Sequence, residues 1–250
     1  MTPSSSGQGH LVFIQVTEVR IFLGLPDYLK GKIYKPVKKA TKKEIEELKS
    51  ILIDKYKDAK TELNYTNEYE LLISIILSAQ CTDKRVNIIT PALFEKYPTT
   101  KELSNAKLDD VKALINSCSF FNNKAKNIIS MAKSVEEKYN GSIPRTQKEL
   151  IGLAGVGQKT ANVFMIEYEN KNLMAVDTHV FRVAHRFGLT NEKTAIKTEV
   201  ELSKKFKTDL HILHQAMVLF GRYICKATSP DCSQCIAPHL CKTKETFKAN

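Results

Sequence analysis

An all-α fold is what this 250-residue sequence predicts. Three observations carry that prediction. Apolar residues recur at helical spacing, no convincing alternating strand runs between Asn67 and Leu219, and short breaks such as "YPTT", "NGSIPRT" and "AGVGQK" separate the periodic stretches. The pattern suits about ten short helices with compact connections.

Residues 1–40 stand apart. "MTPSSSGQGH" reads as a flexible leader, and "LVFIQVTEVRIFLGL" is apolar and β-branched without a helical stripe. A strand-like arm, a partner-binding tail and unstructured chain all remain open for it. From Thr41 the pattern changes. Thr41 with Glu44 three residues on forms a capping box, and Ile45, Leu48, Leu52 and Tyr56 follow at helical spacing. "LLISIILSA" (Leu71–Ala79) is the longest apolar run; it suits a buried helix and is about half of the ~20 residues a membrane span needs.

"PRTQKELIGLAGVGQKTANVFMIEY" divides into a short helix over about Thr146–Ile151, a tight turn, and a second helix from about Gln158. Leu150, Leu153, Val156, Val163 and Ile166 can close one apolar seam. Gly155 and Gly157 permit backbone conformations that side chains resist, and they allow close approach of another backbone. The amides after the turn open a helix, where unpaired N–H groups attract an anion such as a phosphodiester oxygen. The turn resembles the helix–hairpin–helix DNA-backbone motif. It lacks the four residues between glycines of a Walker A loop, and it lacks the third glycine of GxGxxG. An ordinary helix connection with glycine caps is the bland alternative.

Lys159 stands at the start of the second helix, where the helix dipole disfavours a cation. That penalty, together with partial burial, lowers its expected pKa and makes the amine nucleophilic. A phosphate-binding lysine is the other reading. Further on, the apolar stretch Leu173–Val176 leads into Asp177, which precedes a helix bearing Val180, Val183, Ala184 and Phe187. Asp177 reads as the N-cap of that helix. Held rigidly there, it can also stabilise positive charge developing on a sugar, or take a proton.

Near the C-terminus, "CKATSPDCSQCIAPHLC" places Cys225, Cys232, Cys235 and Cys241 with six, two and five residues between them. One CxxC flanked by single cysteines on longer arms favours a [4Fe–4S] cluster over zinc, which usually takes paired CxxC knuckles. His239 is a weaker rival ligand. Cys81 and Cys118 stand apart and read as core residues or bystanders. The formal net charge of +11 points to an anionic partner, with nucleic acid and anionic membrane as the usual candidates. The N-terminus lacks a secretory pattern, so an intracellular, unsecreted protein is expected.

Three motifs together resemble the endonuclease III family of bifunctional DNA glycosylases, in the helix–hairpin–helix superfamily. They are "LSAQCTDKRVN" (Leu77–Asn87), "LAGVGQKTANV" with "VDTHVFRV", and the C-x6-C-x2-C-x5-C loop. They span about Ile45 to Lys242. The resemblance implies two helical lobes. A six-helix barrel covers about residues 61–171, with the hairpin at about 145–169. A second lobe joins 41–60 to 172–250 and carries the cluster loop at 225–241.

The resemblance further implies a base-excision-repair enzyme that removes oxidised pyrimidines. Lys159 is then the nucleophile at the sugar C1′, and Asp177 the stabiliser of the developing charge and an aid in activating the lysine. The Schiff base acidifies the C2′ proton, and β-elimination cleaves the strand. The related adenine-mismatch glycosylases keep the cluster and the aspartate but lack the lysine. Gln80 matches the residue that fills the space of the flipped base, and Phe120 stands where relatives often place a leucine wedge. Leu153, Gly155, Val156, Gly157 and Thr160 belong to the DNA-facing hairpin. Asp83 and His179 match residues beside the base pocket. Ala154 departs from a commonly found proline.

Lys124, Lys126, Lys226 and Lys242 are consistent with phosphate contacts. The partner implied is double-stranded DNA with damaged bases or abasic sites, bound by a monomer in the cytoplasm and associated with the nucleoid.

Overall fold

The computed structural model describes residues 36–243. Eleven α-helices occur among the described residues, and no strand. The reading of the leader up to residue 35 lies outside them. The helices are α1 (Lys42–Tyr56), α2 (Glu68–Ser78), α3 (Asp83–Lys96), α4 (Thr100–Ser104), α5 (Leu108–Ile115), α6 (Phe121–Tyr139), α7 (Gln147–Ile151), α8 (Gln158–Glu169), α9 (Thr178–Arg186), α10 (Ala195–Phe206) and α11 (Leu210–Tyr223). Two 3-10 turns follow, Cys232–Gln234 and Pro238–Leu240.

Local chemistry starts most of these helices. Thr41 caps α1 in a complete capping box with Glu44. Asn67, Thr82, Thr99, Thr146, Asp177 and Thr194 each accept a backbone N–H at the start of α2, α3, α4, α7, α9 and α10. A short oxygen-bearing side chain there satisfies a donor the helix leaves unpaired.

Hydrophobic side chains gather into two clusters. The first runs from Leu63 to Met165 and is organised around α2, which is buried on nearly all sides from Tyr69 to Leu77. Helices α3, α6 and α8 pack against it. A helix apolar all round belongs inside a fold. Leu77 is fully buried, and its truncation to alanine costs about 2–5 kcal/mol. The second cluster joins Ile45, Leu48 and Leu52 of α1 to residues Met174 through Leu240. Its axis is α11, packed against α9 and α1.

Polar contacts stitch the clusters together. Buried Asn162 of α8 donates through Nδ2 to the Met174 carbonyl and to Glu199 of α10, both at 3.1 Å. Gln215 of α11 donates to Glu167, which also accepts the Thr61 N–H at 3.1 Å. Arg222 of α11 pairs with Glu62 and, at 2.7 Å, with Asp83 of α3.

Candidate DNA-facing catalytic site

The hairpin is built as a tight α7–turn–α8 unit. Leu150, Leu153, Val156 and Ile166 are buried and Val163 is partly so. Gly155 adopts φ +80°, a conformation that side-chained residues resist. A Cβ there would also stand 3.0 Å from Asn127 Cβ and 3.3 Å from Ile76 Cγ2. The turn is therefore pressed onto α2 and α6. Gly157 is different: it is the N-cap of α8 at φ −94°, and an added Cβ would meet nothing within 4 Å.

No side chain caps the N-terminus of α8. Its first amides, those of Gln158, Lys159 and Thr160, face an open approach over Gly157. Such a terminus is a seat for an anion. Leu153 and Val156 contribute differently from Gly157. Their side chains lie in the core, and their N–H groups bond the Leu150 and Leu153 carbonyls. They shape the turn.

Lys159 is the second residue of α8 and is exposed, so the partial burial expected for it is absent. Its charge acts on Asp177 and on His214, which brings the end of the hairpin beside the start of α9. Asp177 caps α9: Oδ1 accepts the His179 and Val180 N–H groups, each at 2.8 Å, and Oδ2 accepts from His179 Nδ1 at 2.9 Å. Only 15% of its side chain is exposed. Burial by itself raises the Asp177 pKa. The His179 hydrogen bond, the nearby Lys159 charge and the Val180 amide outweigh burial and hold the carboxyl well below the usual carboxylate range. Asp177 is thus a fixed negative charge.

Two residues that support this corner were not singled out from the sequence. His214 of α11 is 3% exposed and donates Nδ1–H to the Ala175 carbonyl at 2.8 Å, pinning the strand of chain that enters Asp177. Burial lowers its pKa to about 4, with Lys159 acting in the same direction against Asp177 and Ala175. Gly221 of α11 lets His179 approach, since a Cβ there would stand 2.9 Å from His179 Cβ. No local sequence signal marks either residue, because the partners lie far off along the chain.

Gln80 and Phe120 both occupy the left-handed region, at φ 55° and 59°. Both are exposed, Phe120 by 58%, while the neighbouring Phe121 turns toward the first core. Gln80 therefore does not sit as a buried polar cap. An outward aromatic held at positive φ is a strained position that its surroundings must enforce. Lys124 lies on the next turn, and its N–H bonds the Phe120 carbonyl at 3.1 Å. Its buried Nζ donates to the Leu77 carbonyl at 2.8 Å and the Ala79 carbonyl at 2.6 Å, joining the start of α6 to the end of α2. This corrects the expectation of a phosphate contact for Lys124. Lys242 likewise pairs with Glu44, across to α1, instead of standing free for phosphate. Asp83 opens α3 with its carboxylate on Arg222.

Cys225, Cys232, Cys235 and Cys241 line one cavity, with Phe187, Phe220 and Ile224 behind them. Arg186 donates to Cys225 Sγ at 3.1 Å. Among the described residues no three histidine, cysteine or carboxylate groups converge as a ready site for a metal ion; the four thiols surround a space. His239 lies aside on Glu47, which corrects its place as a rival ligand.

A profile of the HhH-GPD superfamily base excision DNA repair proteins matches residues 73–208. The endonuclease III of Rickettsia felis is 46% identical over 187 residues, which is 73% of this chain and 86% of that protein. That of Bacillus subtilis is 40% identical over 191 residues, 76% of this chain and 87% of that protein. A solved trapped endonuclease III–DNA covalent intermediate superposes with a TM-score of 0.79 at 40% identity, covering 84% of this chain and 100% of that one. A thermostable thymine-DNA glycosylase, at 22% identity and a TM-score of 0.73, shares the fold.

Proposed function

Since this chain belongs to the HhH-GPD superfamily of base excision DNA repair proteins, and within it to the endonuclease III family, we propose that Lys159 and Asp177 are the pair that carries its chemistry. The protein is a base-excision-repair DNA glycosylase with abasic-site lyase activity; oxidised pyrimidines as its lesions and a Schiff base as its intermediate accord with the family. One observation supports the pair most. Lys159 and Asp177 stand on helices of different hydrophobic clusters, yet the exposed Lys159 is near enough for its charge to act on the immobilised Asp177 carboxylate.

The amine of Lys159 attacks C1′ as the bond to the damaged base breaks. Asp177 stabilises the oxocarbenium-like charge on the sugar through its fixed negative charge. The C1′–O4′ bond then breaks as O4′ takes a proton, leaving C1′ on the lysine nitrogen as an iminium, which acidifies the C2′ proton. Loss of that proton expels the 3′ phosphate by β-elimination. Water then hydrolyses the imine and frees Lys159. Both Asp177 oxygens accept hydrogen bonds from the start of α9, which holds the carboxylate in place to stabilise the charge on the sugar and to aid in activating the lysine.

The remaining assignments follow the same reading. The α8 amides and the open face of Gly157 seat a phosphodiester, with Gly155, Leu153 and Val156 setting the turn and Thr160 beside it. Gln80 enters the gap left by the flipped base, and Phe120 wedges into the stack. Asp83 and His179 border the base pocket. Cys225, Cys232, Cys235 and Cys241 would hold a [4Fe–4S] cluster, which would supply a rigid loop instead of a reacting group. The four soft donors around one cavity fit it. Residues 61–171 form the barrel, and 41–60 with 172–250 the other lobe, as the two clusters support. The enzyme acts as a monomer on damaged or abasic duplex DNA in the cytoplasm, within the nucleoid. No helix among the described residues is long and apolar enough to cross a membrane.

Borohydride trapping on a duplex bearing an oxidised pyrimidine tests the pair. The native protein gives a covalent adduct and Lys159→Ala gives none. Asp177→Asn binds DNA but excises about a hundredfold more slowly or worse. An undiminished adduct with Lys159→Ala refutes the assignment.

A further inference from the structure

The ends of α2 and α6 carry a second chemistry that the excision reaction does not use. Cys118 lies just before α6 and is buried; its thiol donates to the Leu77 carbonyl at 3.3 Å. Lys124 Nζ stands 3.2 Å from the same sulfur. Cys81, at the turn following Gln80, is partly exposed and packs against the same core as Cys118; its N–H bonds the Ser78 carbonyl at 3.1 Å, one residue along from the Leu77 carbonyl that Cys118 reaches, and its thiol acts on that of Cys118. Two thiols, one reachable from solvent and one backed by a buried ammonium, thus meet between Gln80 and Phe120.

We infer that Cys81 and Cys118 form a reversible dithiol–disulfide pair, oxidised by a peroxide, that locks the Gln80 turn to the Phe120 turn. Cys81 meets the peroxide first because it is the exposed member. Its sulfur takes one oxygen as sulfenic acid, and one water leaves. Cys118 then attacks that sulfur, the S–S bond forms, and a second water leaves. Two thiols lose two electrons and two protons, and the peroxide becomes two waters. Burial pushes the Cys118 thiol pKa up, and the Lys124 Nζ beside the sulfur offsets part of that cost when the thiolate attacks. Such disulfides, rare inside cells, are typically transient and sensing. The bond draws Cys118 from the Leu77 carbonyl and tethers two turns that must each enter the duplex. This last consequence rests on the DNA roles proposed for Gln80 and Phe120; the bond itself does not.

The test uses the cluster-loaded enzyme treated with hydrogen peroxide. Peptide mapping without reductant should find Thr61–Lys84 joined to Ala113–Lys124, two mass units below their sum. Strand cleavage of damaged duplex should fall by about tenfold or more and return with dithiothreitol, with cluster absorbance unchanged. Cys81→Ser and Cys118→Ala should each abolish the linked peptide and keep activity after peroxide. A Cys81 oxidised to sulfinic acid without linkage, or peptides joined only among the four C-terminal cysteines, overturns the pair. A linked peptide with undiminished cleavage upholds the bond and overturns the DNA roles of Gln80 and Phe120.

Discussion

Gly155 and Gly157 sit two positions apart in one turn and answer to different demands. Gly155 needs its positive φ and has no room for a side chain. Gly155→Ala should therefore lose more than about 1 kcal/mol in denaturant unfolding. Gly157 has a φ open to any residue and free space beside it, so Gly157→Ala should be neutral or stabilise by about 0.4–1 kcal/mol. It should still weaken DNA binding, because the added methyl would stand in the open space proposed as the phosphate seat. Fluorescence anisotropy on an abasic duplex separates the two; equal binding by Gly157→Ala removes the phosphate seat from that face. His214 makes a pH prediction. Its folded pKa of about 4 lies below the ordinary 6.5, so the unfolded chain binds more protons between those values. Stability is then complete above pH 6.5 and falls as pH drops toward 4, by about 3 kcal/mol for this residue. Buried His185, lowered chiefly by desolvation, adds in the same direction. Urea unfolding at stepped pH should show the loss, and His214→Gln should flatten it.

Packing of α9 against α11 decides where Asp177 stands. Gly221→Ala would set a methyl against His179, forcing α9 to retreat at a cost of about 1–3 kcal/mol. Excision rate should fall more than DNA affinity, read by single-turnover kinetics against anisotropy. A rate that keeps pace with wild type would show that the carboxylate does not depend on this contact. What the chain order revealed about these elements follows contact range. The Thr41–Glu44 box and the Asp177 cap were legible because each closes within three residues. The hairpin boundaries were legible from two glycines and a hydrophobic seam. Lys124 was misread as a phosphate contact because its acceptors, Leu77 and Ala79, lie more than forty residues back. The link from His214 to Ala175 was hidden for the same reason.

At the scale of the whole molecule, a net charge of +11 predicts that DNA binding is strongly salt-dependent. The logarithm of affinity should fall with that of salt at about −0.9 per phosphate contacted, and a flat response would count against a backbone-tracking surface. Charge alone left nucleic acid and membrane equal; the three motifs, read together, chose between them. The second cluster has a further consequence, because α1 packs against helices that lie more than a hundred residues downstream. On the ribosome the first cluster can close as soon as α8 emerges. Helix α1 waits with its apolar stripe uncovered until α9 to α11 have been made. The amine on α8 is thus made before its carboxylate neighbour on α9 is seated, and the two come together only once α9 has packed against α11.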